Sequence, residues 1–357
     1  MKKHSLIKFE LVHIKNIKES EYSRFYDNAV FQPVFFQYPF IKSFYENSIE
    51  NSKELVFAIG RIEKKIFIIL PGFSENNIFE SFSFSGSDHL YFLNQSENSC
   101  AYQKLLVQYL LDTHHTIKLS NFLAIDSNLK KELLISETPG FSCPFINLPD
   151  EYGIYLKNLN KSFRKKIRWE NNSAQKTGII IKFIINDHSQ STKTHLNRLY
   201  YLHKRRIKQK NQISSFINED NMKFHDLLLN KYNVKAMFSE AWYNDECIGS
   251  MYGFIDNKTY YYFNSGYSNG INNISVGSLL ISNTIMELIK KGIENFDFLR
   301  GTERYKYYWT KSQKKNYYYY IGRKNEFGLR MKIKIFNDYR KRYGGKIALK
   351  KIVSDII

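Results

Sequence analysis

Cysteine is scarce in this chain. Cys100, Cys143 and Cys247 are spread over 357 residues with no CxxC spacing. That argues against a disulfide framework and against a cysteine-based zinc site. No HExxH occurs. His114 and His115 are adjacent, and neither a helix nor a strand would aim both at one ion, so no metal is expected. Long apolar runs are missing too. The most apolar short runs, such as residues 66–70, are far shorter than the ~18–20 residues needed to cross a bilayer. The opening MKKHSLIKFE has no continuous apolar stretch behind its lysines, so no secretory signal is expected. The expected location is the cytoplasm. There is no solenoid-length repeat, low-complexity linker, P-loop, GxGxxG, zinc finger or RRM signature.

Acidic residues are few relative to basic ones. The chain has 53 Lys+Arg against 34 Asp+Glu, a formal charge of +19. Residues 1–149 carry 15 basic and 16 acidic residues, net −1, so residues 150–357 carry 38 and 18, net +20. A basic second part fits a polyanionic partner: nucleic acid, an anionic membrane surface or a phosphorylated small molecule. It fits a solvated lysine-rich surface equally well. The breakers Pro139-Gly140, Cys143-Pro144 and Leu148-Pro149 coincide with this change of charge. They place a domain boundary near residue 150, giving domains 1–149 and 150–357.

Periodicity supplies the elements. Residues 55–70 read as a hairpin and 101–112 as an amphipathic helix. Beyond 150 come a basic helical pattern, a strand at 178–185 and a helix at 192–210. Strand-like runs follow at 234–243, 247–255 and 258–264, then a helix at 276–291 ended by Gly292, and a strand at 295–299. Helices, an antiparallel meander, one helix and one more strand make an α+β arrangement with a mixed sheet.

Three constellations carry possible chemistry. The first runs from Tyr262 to Leu280, where a strand leads through a Gly-containing loop to a helix start. Free N–H groups and the helix dipole there suit phosphate, and Gly266, Gly270 and Gly277 would allow close approach. An ordinary strand–turn–helix connection reads the same way. The second, residues 296–311, crowds Asp297, Arg300, Glu303, Arg304, Tyr305 and Lys306 just after a strand end. It is equally readable as a surface ion-pair cluster. The third is a pair of basic helices, SFRKKIR at 162–168 and LHKRRIKQK at 202–210, with His203 beside apolar neighbours. Arg164, Arg168, Arg205 and Arg206 suit phosphate contacts, or a solvated face.

In order, CPFINLP (143–149), YLKNLNKSFRKKIR (155–168), LHKRR (202–206), SVGSLLI (275–281) and DFLRGTERYKYYW (297–309) resemble the CelD/BcsL-like branch of the GNAT acyltransferases. FQPVFFQYPFIKSFYEN (31–47) is similar to that family's opening helix segment. The resemblance implies two tandem GNAT-like domains, with mixed, mostly antiparallel sheets flanked by helices. The second domain would hold acyl-CoA between two splaying strands, Thr259–Ser265 and Asn295–Leu299. The pyrophosphate would rest on the helix start at Ser275, Val276, Gly277 and Ser278. The usual signature, Arg/Gln-x-x-Gly-x-Gly/Ala, is not intact there. The donor implied is acetyl-CoA or a larger acyl-CoA such as 3-hydroxybutanoyl-CoA. The acceptor implied is the amine of a dTDP- or UDP-linked amino sugar destined for O-antigen or capsule.

Direct attack of an amine on a thioester needs a base and an oxyanion donor. The candidate bases are Glu303 and Asp297, then His203 and Glu240. Tyr305 is the candidate acid toward the departing thiolate, and a backbone N–H around Asn264, Ser265 and Gly266 is the candidate oxyanion donor. Arg164, Arg168, Arg205, Arg206, Arg300 and Lys306 would contact substrate phosphates in a cleft between domains. Two alternatives stand beside this reading. One is a Fem-like aminoacyl-tRNA-dependent transferase. The other is a nucleic-acid-binding protein that stacks bases on the tyrosines at 317–320, amid Lys314, Lys315, Arg323 and Lys324.

Overall fold

The computed structural model describes residues 7–47, 54–84, 86–95, 99–186, 192–211, 214, 216, 218–268 and 271–323. In chain order the elements begin with β1 (Ile7–His13), α1 (Glu19–Asp27), α2 (Tyr38–Asn47), β2 (Glu54–Ile62), β3 (Lys65–Glu75), β4 (Ile78–Ser81) and β5 (Leu93–Asn94). Next come α3 (Ser99–Thr113), β6 (Thr116–Phe122), α4 (Ser127–Glu132), β7 (Leu134–Asn147), α5 (Tyr152–Asn158), α6 (Lys161–Thr177), β8 (Ile180–Ile185) and α7 (Thr192–Gln209). The last are α8 (Glu219–Asp226), β9 (Ala236–Tyr243), β10 (Glu246–Asp256), β11 (Thr259–Tyr267), α9 (Val276–Lys290), β12 (Asn295–Asp297), α10 (Lys306–Trp309) and β13 (Gln313–Gly322).

These elements form two compact units. The first draws on residues 1–38, 50–140 and 315–357, the second on 39–49 and 141–314. After an earlier excursion at 39–49, the chain passes to the second unit within β7 and back within β13, so neither of these two later crossings is a loop. The breaker-rich stretch at 139–149 is largely strand. Pro144 has no N–H to give, but its carbonyl accepts from Phe298 N–H at 2.9 Å, so it still serves its neighbour.

The two units repeat one pattern. In the first, β2, β3 and β4 form an antiparallel meander, α3 follows, and β6 returns parallel to β4. In the second, β9, β10 and β11 form the meander, α9 follows, and β12 returns parallel to β11. Each unit is thus an α+β layer with one parallel pair in an otherwise antiparallel sheet. β13, the YYYY segment, pairs antiparallel with β6 and buries Tyr318, Tyr319 and Tyr320. These tyrosines are core residues of the first unit, so they offer no stacking platform for bases.

In the second unit α6 is bounded by Asn160, whose side chain accepts from Ser162 N–H, and by Gly178 at φ +83°, a left-handed cap. Its buried stripe is Phe163, Ile167, Glu170 and Ala174. With the apolar face of α9, including Leu279, Leu280, Ile285 and Leu288, it covers one face of the sheet over Met237, Met251 and Tyr260. α7 packs on β10 and β11 through a stripe that includes His195, Leu199 and His203.

Candidate active site

β11 and β12 pair over only three positions: Thr259 with Asn295, Tyr260 with Phe296 and Tyr261 with Asp297. β11 runs on to Tyr267 while β12 stops, and the chain turns through Leu299 at φ +54°. The two strands therefore separate after Tyr261. The β10–β11 register shifts at the same level: Tyr252 faces Asn264 and Gly253 faces Tyr262, so Phe263 is a bulge.

Phenols gather where the strands part. The Tyr262 hydroxyl lies 2.6 Å from Ser265 Oγ and is also hydrogen-bonded to Tyr305. Phe298 packs edge-on against both rings, at 6.0 and 6.5 Å. The Tyr267 ring carries the Arg206 guanidinium 3.5 Å from its centroid. Burial raises the pKa of Tyr262, and removal from water raises that of Tyr305. Both phenols are therefore protonated at neutral pH, and their hydroxyls hydrogen-bond to one another and, from Tyr262, to Ser265 Oγ.

His203 is buried on α7. Its Nδ1–H donates to the Ser265 carbonyl at 2.8 Å, which leaves Nε2, 2.9 Å from Ser214 Oγ, to accept from that hydroxyl. Burial lowers its pKa, so the ring is neutral. Asn264 Oδ1 accepts from Ser265 N–H at 2.7 Å, so of the amides at Asn264, Ser265 and Gly266 considered for an oxyanion, that of Ser265 already has a local partner. Gly266 faces α7: a Cβ there would lie 2.2 Å from His203 N. Its smallness serves helix–strand contact, with no room for a pyrophosphate. Gly270 and Lys324 lie outside the described residues.

The start of α9 is also occupied. Ser275 caps it, its Oγ accepting from Ser278 N–H at 3.4 Å. Ser275 N–H donates to Glu170 Oε1 at 3.2 Å. Glu170 is fully buried, and its Oε2 has no hydrogen-bond partner among the described residues. Burial raises its pKa, and the Lys166 ammonium lies 3.6 Å away. Val276 is buried, and a Cβ on Gly277 would meet the Tyr267 ring at 2.6 Å. A carboxylate and a tyrosine ring thus stand where a pyrophosphate was expected, and they do not suit one.

The remaining sequence candidates are divided among other tasks. Asp297 is buried, and its Oδ1 accepts from Leu299 N–H at 2.8 Å, holding the turn. Lys306 is buried and donates to the Arg300 carbonyl at 2.6 Å and to Glu303 Oε2 at 3.1 Å, so it ties the loop together. Glu303 is largely exposed beside Tyr305. Arg300 covers the Phe141 ring at 5.1 Å, and Arg164 donates to the Lys157 carbonyl at 2.8 Å. Arg168 and Arg205 are exposed on α6 and α7. Glu240 is buried with His195 at 2.8 Å, Trp242 Nε1 at 3.1 Å and Arg198 at 3.4 Å, fastening α7 to β9. The structure therefore groups Tyr305, Glu303, Ser265, His203 and Arg206 around the splay. It sets Asp297, Glu240, Arg300 and Lys306 to structural work.

Sequence reading missed Glu170, Tyr262 and Tyr267. Glu170 had a legible signal, because it occupies an apolar stripe position between Ile167 and Ala174. The tyrosines read only as strand formers.

Residues 161–307 match the family model of an acetyltransferase (GNAT) domain. This segment is similar to GNAT acetyltransferase domains, and its α+β layering is GNAT-like. The wider fold extends beyond it. FemX superposes with a TM-score of 0.61 at 10% identity, over 89% of this chain and 98% of that one. A conserved protein of unknown function from Bacteroides thetaiotaomicron gives 0.56 at 11%, over 89% and 100%. The C-terminal domain of a putative lysylphosphatidylglycerol synthetase from Agrobacterium fabrum gives 0.54 at 8%, over 88% and 95%. At these identities the likeness is one of fold. No curated protein matches the sequence. Among the described residues no group of three or more His, Cys, Asp or Glu is placed to hold a metal, and no helix is long and apolar enough to cross a membrane.

Proposed function

We propose that the GNAT domain transfers an acyl group from an acyl-CoA to the amine of a nucleotide-linked amino sugar. The sugar is dTDP- or UDP-linked and serves surface polysaccharide synthesis, as in the CelD/BcsL-like branch. The observation that carries this is the hydrogen-bonded pair Tyr262 and Tyr305 where β11 and β12 part, inside the segment that matches the GNAT model. The amine nitrogen attacks the thioester carbonyl and the C–S bond breaks. The ammonium proton passes to Glu303, the exposed carboxylate beside the phenols. Tyr305 donates to the departing thiolate and recovers its proton through solvent. His203 positions β11 through Ser265 and takes no proton. This departs from its expected role as a base, because a buried neutral ring with both nitrogens engaged has no open lone pair.

A second reading has its own observation. Glu170 and the Tyr267 ring at the start of α9 oppose a CoA pyrophosphate, which favours a Fem-like aminoacyl-tRNA donor. Thermal unfolding with acetyl-CoA, UDP-glucosamine or aminoacyl-tRNA separates the two. A ligand at 100 times its Kd stabilises by about 2.7 kcal/mol. A shift with acetyl-CoA supports the first reading. A shift with tRNA and none with acetyl-CoA replaces it with the second.

A further inference from the structure

The second unit holds a cavity of about 800 Å³ between the α5–α6 junction and the segment that follows Tyr305. None of the candidate catalytic residues line it. Its volume is within the range of small-ligand sites and is larger than a single hexose requires. The lining combines aromatic rings, side-chain amides and two lysines, with no carboxylate. Tyr308 is 45% exposed, and its ring stacks on Phe163 at 5.3 Å and 28°, so its orientation is fixed. Asn147 and Asn158 are exposed amides on its rim. Lys166 and Lys311 supply positive charge. Lys166 also reaches Glu170 at 3.6 Å, which places this cavity beside the start of α9.

We propose that this cavity is the acceptor subsite and takes a phosphorylated saccharide. The C–H face of the sugar ring lies on Tyr308, its hydroxyls meet Asn147 and Asn158, and the phosphates lie between Lys166 and Lys311. Each part follows from the lining. A fixed exposed ring gives apolar contact to a flat sugar face. Amides donate and accept at once, as sugar hydroxyls require. No carboxylate lines the cavity, so Lys311 favours an anion there, while Lys166 is shared between the cavity and Glu170. The assignment deepens the amino-sugar reading above and rests on it.

The test is calorimetric binding of UDP-glucosamine, UMP and acetyl-CoA to the full chain and to Tyr308→Ala, Tyr308→Phe and Lys311→Glu. Both altered side chains are exposed, so the fold is expected to persist. The expected result is at least tenfold weaker UDP-glucosamine binding by Tyr308→Ala and by Lys311→Glu. Tyr308→Phe should stay within about twofold of wild type, and acetyl-CoA binding should be unchanged in all three. UMP should feel Lys311→Glu but not Tyr308→Ala. Equal UDP-glucosamine binding by wild type and variants, or none by wild type, overturns the assignment. Failure of acetyl-CoA to bind while these sugar effects stand would overturn the donor and leave the cavity's role intact.

Discussion

Gly266→Ala tests the junction between the site and its supporting helix. The added Cβ would lie 2.2 Å from His203 N, 2.6 Å from Leu202 C and 2.7 Å from His203 Cα. All three are backbone atoms, so no side chain can swing aside. Ordinary contact begins at 3.4 Å, so α7 must withdraw from β11 by about 1.2 Å. That withdrawal would stretch the 2.8 Å bond from His203 to the Ser265 carbonyl to about 4 Å, beyond hydrogen-bond reach. Overpacking of this kind costs about 1–3 kcal/mol, and the lost hydrogen bond adds about 1 kcal/mol. The expected loss is therefore about 2–4 kcal/mol. Urea denaturation at neutral pH reads it as a lower midpoint with unchanged slope. Gly153→Ala is the control. No atom lies within 4 Å of its added Cβ on α5, so it should be neutral or gain up to about 1 kcal/mol from helix propensity. If Gly266→Ala stays within about 0.5 kcal/mol of wild type, the tight α7–β11 contact is not as described.

His225 is fully buried against Tyr252, and burial lowers its pKa from 6.5 to about 3. The unfolded chain therefore takes up the proton first, so its stabilising contribution is complete above about pH 6.5 and falls as pH drops below it. Between pH 7 and 5 this one ring accounts for about 2 kcal/mol. His225→Phe should show that much less acid sensitivity in denaturant midpoints, and equal slopes in both proteins would contradict the assignment. Glu170→Gln keeps an acceptor for Ser275 N–H but removes the negative charge at α9. It should tighten CoA binding by about fivefold, about 1 kcal/mol; unchanged affinity would mean that Glu170 does not oppose the pyrophosphate.

Much of the second unit was legible. The meander and α9 with its stop at Gly292 follow from short-range pattern and fall where periodicity put them, and the strand expected at 295–299 ends at Asp297. Residues 139–149 read as breakers because Pro and Gly punctuate locally. They lie mostly in a strand because β7 pairs with β12 and β13, partners far away in sequence. α5 and α6 read as one helix until Asn160, whose capping side chain starts a new one. Asp297 and Lys306 read as chemistry because charged residues crowd after a strand end. Only the positive φ of Leu299 and the curled loop show that they hold the turn. Glu240 paired with His195, a partner 45 residues away that no spacing rule connects.

We place acyl transfer at the β11–β12 splay. Its most direct measurement is thiol release from acetyl-CoA in the presence of UDP-glucosamine, by the full chain and by Tyr305→Phe. The expected release requires the amino sugar and falls by about 100-fold in the variant. Release that ignores the sugar, or that persists unchanged in Tyr305→Phe, would contradict it.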